Sequence, residues 1–211
     1  LAFLDHAQQL VEAPPQGAAK LLNVHWTGDA IVIVQQYVLG ETLATCIEEE
    51  SFSDASATLD FIVALIDVVD NLHGRAIAHG DIKPDNIVVD RSVEKPLPIL
   101  IDLVDFSSGQ DGSRQSRAYS PVSGGRFERD RFAVTKITEE LLVKVELSSE
   151  VAEQIARSIE ECRMGPPANG TLLPLREAIE RVQNSQGDDE LTTYSVSLIQ
   201  TEIGPMHPDE G

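Results

Sequence analysis

Apolar residues recur along the chain at two spacings, and the switches between them lay out its elements. Leu1, Leu4, Ala7, Leu10 and Val11 fall on one helical face, and Pro14 with Pro15 end the run, so residues 1–12 are predicted as a helix. Residues 20–25 and 30–37 alternate or run β-branched and read as two strands, joined by a turn at Thr27, Gly28 and Asp29. The strongest helical period follows: Leu59, Ile62, Val63, Ile66, Val69 and Leu72, with Ser53 or Asp54 as its cap and Gly74 as its stop. Its apolar face is wide enough for a central core helix. Residues 87–89 and 99–104 predict a short strand pair around a polar turn at residues 90–95. Helices are then predicted over residues 129–142, over 149–163 with Gly165 and Pro166 closing it, and from Pro174 to about Val182. Residues 183–190 form a polar, acidic stretch that reads as a linker. Strand-like alternation at Tyr194, Val196 and Leu198 predicts the start of a further β-containing segment.

Between the long helix and the first strand of the later pair stands His79–Gly80–Asp81–Ile82–Lys83–Pro84–Asp85–Asn86. Asp, Asn and Pro commonly build plain surface turns. Here His, Asp, Lys and Asn keep a spacing that suits phosphoryl transfer, in which a protein mostly positions groups and neutralises charge. A carboxylate at Asp81 can orient an acceptor hydroxyl. The Asn86 amide oxygen is a hard donor of the kind magnesium demands, and Lys83 between them can neutralise a phosphate in transit. Pro84 blocks a helical reading through the loop.

This stretch resembles the catalytic loop of the eukaryotic-type Ser/Thr protein kinases, particularly the bacterial branch with Gly80 where many members carry Arg. In that family the Arg pairs with a phosphorylated activation loop, so Gly80 implies activity that does not wait for phosphorylation. The Lys83–Pro84 pair is similar to the Ser/Thr class rather than the tyrosine class. The resemblance implies an α+β, protein-kinase-like fold: a mostly helical large lobe with the remnant of a β small lobe. It divides the chain into a partial small lobe over residues 1–37, a large lobe over 38–182, and a linker with a further segment over 183–211. ATP and Mg2+ are the implied cofactors.

Further roles follow from the same likeness. Asp5 is the position matching the family Glu that holds the ATP-binding Lys; a solvated helix acid is the other reading. Gln36, Tyr37 and Val38 resemble the hinge that grips adenine. Glu41 either meets the ribose hydroxyls or is a helix-start acid favoured by the helix dipole. Two registers compete for the metal aspartate. Strand alternation puts Ile101, Leu103 and Asp105 on one face, and Phe106 supplies the aromatic plug the family has there, which favours Asp105; in the other register the strand ends at Asp102. Residues 110–125 are polar and glycine-rich, as an activation segment should be. Ser116, in Ser-Arg-Ala-Tyr-Ser-Pro, matches the hydroxyl that bridges Asp81 and Lys83. The family Glu after that proline is missing, and so is the Arg it normally pairs with, which implies a substituted anchor. Asp130 matches the aspartate that kinases bury under the catalytic loop, and His79 supports the loop from within.

Charge narrows the partners. Sixteen basic residues against 35 acidic give a net charge of -19, which repels nucleic acid and anionic membrane surfaces over long range. Magnesium can still bring positive charge to a local nucleotide site. Cys46 and Cys162 have no metal-ligand spacing and read as buried apolar residues in a reducing cytoplasm. No apolar run reaches membrane-spanning length. The glycine-rich loop and ATP-binding Lys of the family lie upstream of Leu1 or do not exist, so the chain reads as a fragment of a larger protein with additional domains and a Ser/Thr protein substrate. A pseudokinase scaffold and an aminoglycoside-phosphotransferase-like small-molecule kinase are the competing readings. Asp81, Lys83 and Asn86 speak against the first, and Lys83 with the Asp130 helix against the second.

Overall fold

The computed structural model describes residues 2–103, 117–164 and 170–185, with the side chains of residues 2–6 and of Arg117 outside that description. Helix α1 (Ala2–Glu12) leads into an antiparallel pair, β1 (Leu21–Trp26) and β2 (Ile31–Gln35). A short strand β3 (Glu41–Thr42) precedes α2 (Leu43–Glu48), a helix the hydrophobic period alone does not reveal. Thr42 caps it, its hydroxyl accepting from the Thr45 N–H at 3.2 Å. Then come α3 (Ala55–Gly74), β4 (Ile87–Asp90), β5 (Leu97–Leu100), α4 (Arg126–Leu142) and α5 (Ser149–Met164). A last helix, α6, spans residues 173–185. The second sheet has the order β3-β4-β5, antiparallel throughout.

Helix α3 is the core element, as its period predicts. Leu59, Phe61, Ile62, Leu65, Ile66, Val69 and Leu72 are buried along it, and α4 and β5 pack against it. Of the two candidate caps the structure uses Asp54, whose carboxylate accepts from the Ala57 N–H at 2.6 Å. The stop differs from expectation. Gly74 remains helical, and Ala76 takes the left-handed turn with φ 58°. The Ile77 N–H bonds to the Leu72 carbonyl and the Ala76 N–H to that of His73, both at 2.9 Å, which closes the helix end.

Three boundaries move for physical reasons. Helix α4 starts at Arg126 rather than 129, because the Glu128 carboxylate turns back onto the Gly125 N–H and satisfies an orphan donor there. Strand β5 stops at Leu100 rather than 104, since Asp102 leaves the extended region with φ 58°. The expected linker begins later, because α6 runs to residue 185 and the Gln183 amide donates to Asp60 on α3 at 2.7 Å. Residues 191–203, read as strand-like, lie outside the described residues. Cys46 and Cys162 are both buried thiols. No described helix is long and apolar enough to cross a membrane.

Candidate active site

Residues 79–86 leave the end of α3 and enter β4, and Pro84–Asn86 form a single 3-10 turn between them. The loop is held from below by α4. Asp130 is fully buried, and its carboxylate accepts from the His79 N–H at 2.8 Å and the Gly80 N–H at 2.7 Å. Its Oδ2 also lies 3.0 Å from His73 Nε2. A buried carboxylate needs such donors, and here two of them are the loop's own backbone. Gly80 has φ 84°, a left-handed conformation that glycine adopts without the penalty a Cβ would bring.

His79 ties the loop to the strand beside it. Its Nε2 stands 2.8 Å from the Ile101 carbonyl, which only accepts, so Nε2 carries the proton; Nδ1 is then free to take the Asp81 N–H at 3.4 Å. The imidazole is fully buried. Asp81 keeps part of its carboxylate in solvent, with Lys83 Nζ 3.5 Å from Oδ2. Asn86 donates from Nδ2 to the Asp81 carbonyl at 2.9 Å, which fixes the amide so that its oxygen is turned away from that contact. Its backbone carbonyl accepts from the Ile101 N–H at 2.9 Å. The pairing of Ile87 with Leu100 therefore continues by one step, and Asp102 follows one residue later, exposed, with Leu103 buried behind it.

The remaining predicted residues fall in several places. Gln36, Tyr37, Val38 and Glu41 line one open cavity of about 570 Å3, whose other side is formed by residues 89–92 at the far end of β4. Glu41 stands ahead of the α2 cap and not in its first turn, with its carboxylate 4.0 Å from Cys46 Sγ. Asp105, Phe106 and Ser116 lie outside the described residues, and so does the side chain of Asp5. Tyr119 donates its hydroxyl to Glu140 on α4 at 2.9 Å; burial first, and then that acidic partner, push its phenol well above the ordinary tyrosine range. Two contacts around the loop and its flanking helix that sequence reasoning missed are His73 to Asp130 and Tyr119 to Glu140. Each joins residues far apart in the chain, and neither has a local signature.

The arrangement brings together a partly exposed carboxylate at Asp81, the Lys83 ammonium 3.5 Å from it, and Asn86 and Asp102 at the junction that follows β5. A family model, the protein kinase domain, matches residues 17–128, more than half of the chain. The chain belongs to the protein kinase domain family. Among curated proteins it is 34% identical over 90 residues to "Serine/threonine-protein kinase PknA" of Nostoc sp., which covers 43% of this chain and 16% of that protein. It is 29% identical over 118 residues to "Serine/threonine-protein kinase C" of Synechocystis sp., covering 56% and 22%. To the mouse "Death-associated protein kinase 2" it is 38% identical over 79 residues, covering 37% and 20%. The chain thus spans no more than about a fifth of these relatives. The kinase match ends two residues before Asp130, so the Asp130 contacts are an independent observation. They link α4 to the matched loop.

Proposed function

We propose that the chain forms the body of an ATP- and magnesium-dependent Ser/Thr protein kinase catalytic domain that transfers the γ-phosphate to a protein hydroxyl, and that it works in the cytoplasm. Asp81 accepts the hydrogen bond of the acceptor hydroxyl and aligns it. Lys83, within reach of the same carboxylate, meets the negative charge of the phosphate in transit. Asn86 and Asp102 offer the oxygen donors for the metal, and a pair of hard donors suits an ion that takes its other ligands from phosphate and water. When bound, magnesium neutralises the phosphate oxygens. Residues 36–38 and Glu41 form the nucleotide end of the site, which the cavity they line supports. Residues 1–37 act as the small-lobe part and the large lobe extends to residue 185; further domains of the natural protein, and the substrate it recruits, complete the reading.

The observation that carries this reading is the pinned loop: Asp130 holds the His79 and Gly80 amides ahead of Asp81, His79 ties that side to the Ile101 carbonyl, and Asn86 Nδ2 donates to the Asp81 carbonyl on the other side. Asp81→Asn in the natural protein should slow transfer to peptide acceptors by at least about a hundredfold, the scale of losing a positioned acid-base group. Nucleotide affinity should barely change. Radiolabelled ATP transfer to protein and to aminoglycoside-like acceptors, with wild type and variant side by side, decides it. Unchanged transfer in the variant overturns the assignment, and transfer confined to small molecules moves the protein to a different kinase class.

A further inference from the structure

We propose that residues 191–199 of this chain dock in the open cavity between residues 36–41 and 89–92, where they occupy the nucleotide end of the site and compete with the nucleotide. The inference rests on the kinase reading for that competition, and on the cavity and the sequence for the docking itself. The cavity, of about 570 Å3, has an apolar and uncovered rim. Tyr37 is 83% exposed and Leu39 is 81% exposed. The opposite wall extends the patch: Val93 follows it at 47% exposure, and Leu97, 41% exposed, pairs with Asp90 across β4 and β5 and so shares its face. Neighbouring exposed apolar side chains of this size mark a surface that is normally covered.

The covering segment nearest at hand is the chain's own. Helix α6 ends at residue 185, and residues 186–211 follow it in the sequence. The Gln183 amide donates to Asp60 Oδ1 at 2.7 Å, and Lys95 Nζ pairs with Asp60 Oδ2 at 2.8 Å. The exit of α6 is thereby fixed beside the turn that joins β4 to β5. From Lys95 to Ser92 on the cavity wall is at most about 11 Å of chain, whereas residues 186–194 can span about 30 Å, so reach is ample. The sequence also suits the cavity. Residues 191–201 carry no charge in a chain of net charge -19, so the acidic surface does not repel them. Tyr194, Val196 and Leu198 alternate with Ser195 and Ser197, which gives an extended segment one apolar and one polar edge. The apolar edge meets the rim and the serines face solvent. An uncharged, β-prone run left uncovered is an aggregation hazard, so docking protects both surfaces.

The test uses the natural protein with the double substitution Val196→Asp and Leu198→Asp. The control, Ser195→Asp with Ser197→Asp, adds the same charge to the opposite edge. Val93→Asp disrupts the rim from the other side. Amide hydrogen exchange at residues 37–40 and 90–92 should accelerate at least about fivefold in the two disrupting variants and stay within about twofold of wild type in the control. The Kd for ATP, measured by calorimetry, should fall at least about threefold in the same two variants, because a state that bars the nucleotide weakens its apparent affinity in proportion to its population. Unchanged exchange in both disrupting variants overturns the proposal, as does equal acceleration in the control. Protection that grows with protein concentration overturns it too, since a second copy is then the occupant. Accelerated exchange with unchanged ATP affinity overturns the competition. If neither wild type nor variants bind ATP, the kinase reading fails, and the exchange rates still decide whether residues 191–199 dock.

Discussion

Asp102 shows how much one backbone angle can decide. The sequence presents two aspartates three residues apart, and strand alternation favours Asp105 because it continues a run of inward apolar side chains. Alternation holds only while the chain stays extended. Asp102 has φ 58°, a region that costs most residues with a Cβ on the order of 1 kcal/mol and that aspartate tolerates better than most. The extended run ends there, and the alternation that supported Asp105 ends with it. The turn leaves Asp102 exposed one residue beyond the backbone contact of Ile101 with Asn86, while Leu103 is buried. Such a turn has no hydrophobic signature, so the two registers could not be separated by pattern. In the natural protein, Asp102→Asn should reduce magnesium-dependent phosphate transfer by about a hundredfold or more, the scale of removing one electrostatic stabiliser. Asp105→Asn should stay within a few fold of wild type. A steady-state assay at varied magnesium concentration distinguishes them, and the opposite ranking returns the ligand to Asp105.

At the scale of elements, legibility followed length and burial. Helix α3 was readable to its N-cap because its apolar face is long and one-sided, and because Asp54 stands where a capping side chain should. Its C-terminus misled because Gly74 looks like a stop, whereas the backbone bonds close around Ala76. Helix α2 escaped because six residues are too few to display a period. Contacts between elements were less legible still. Arg163 on α5 donates to Thr135 Oγ1 at 3.0 Å, pairs with Glu139 at 2.8 Å and lies over the Phe132 ring, all on α4. Burial pulls Glu139 upward, but the hydrogen bonds from Arg163 and Lys136 outweigh it and leave the carboxyl below its ordinary range. A folded-state value below the unfolded one means the unfolded chain binds more protons in that window. The contribution is therefore present above the ordinary glutamate range and is lost as pH falls through the folded value. Arg163→Ala should cost about 1–2 kcal/mol at neutral pH, from a partly buried ion pair, a hydrogen bond and a cation–π contact. The deficit should shrink in acid. Urea unfolding at neutral and acid pH measures both; a deficit that stays constant as Glu139 protonates would rule out the ion pair as its source.

At the scale of the whole molecule, the part that precedes β3 is joined to the part that carries residues 79–86 along one seam. The segment between α1 and β1 is laced onto the rest by backbone bonds. Leu100 donates to the Gly17 carbonyl and its own carbonyl accepts from Ala19, both at 2.8 Å; in addition the side-chain guanidinium of Arg75, at the end of α3, donates to the Ala13 carbonyl at 2.6 Å. Backbone pairings between distant residues leave no trace in a hydropathy pattern, so this seam is invisible in the sequence, whereas residues 79–86 carry their motif in one contiguous run. Gly17 is its tightest point. It has φ 75°, and a Cβ built there would overlap the Val68 side chain on α3. Gly17→Ala thus meets two separate costs: about 1 kcal/mol for a left-handed residue with a Cβ, and about 1–3 kcal/mol for overpacking. Together they should lower the urea midpoint by an amount worth about 2–4 kcal/mol, with little change in slope if the folded state keeps its compactness. The two costs are separable, because truncating the neighbour removes only the second. In the Gly17→Ala background, Val68→Ala should restore stability until roughly the conformational 1 kcal/mol remains, whereas in the wild-type background the same truncation should destabilise as an ordinary loss of packing. A double mutant whose loss equals the sum of the single losses would mean that Gly17 and Val68 do not press on one another, and that the seam is held by its backbone bonds alone.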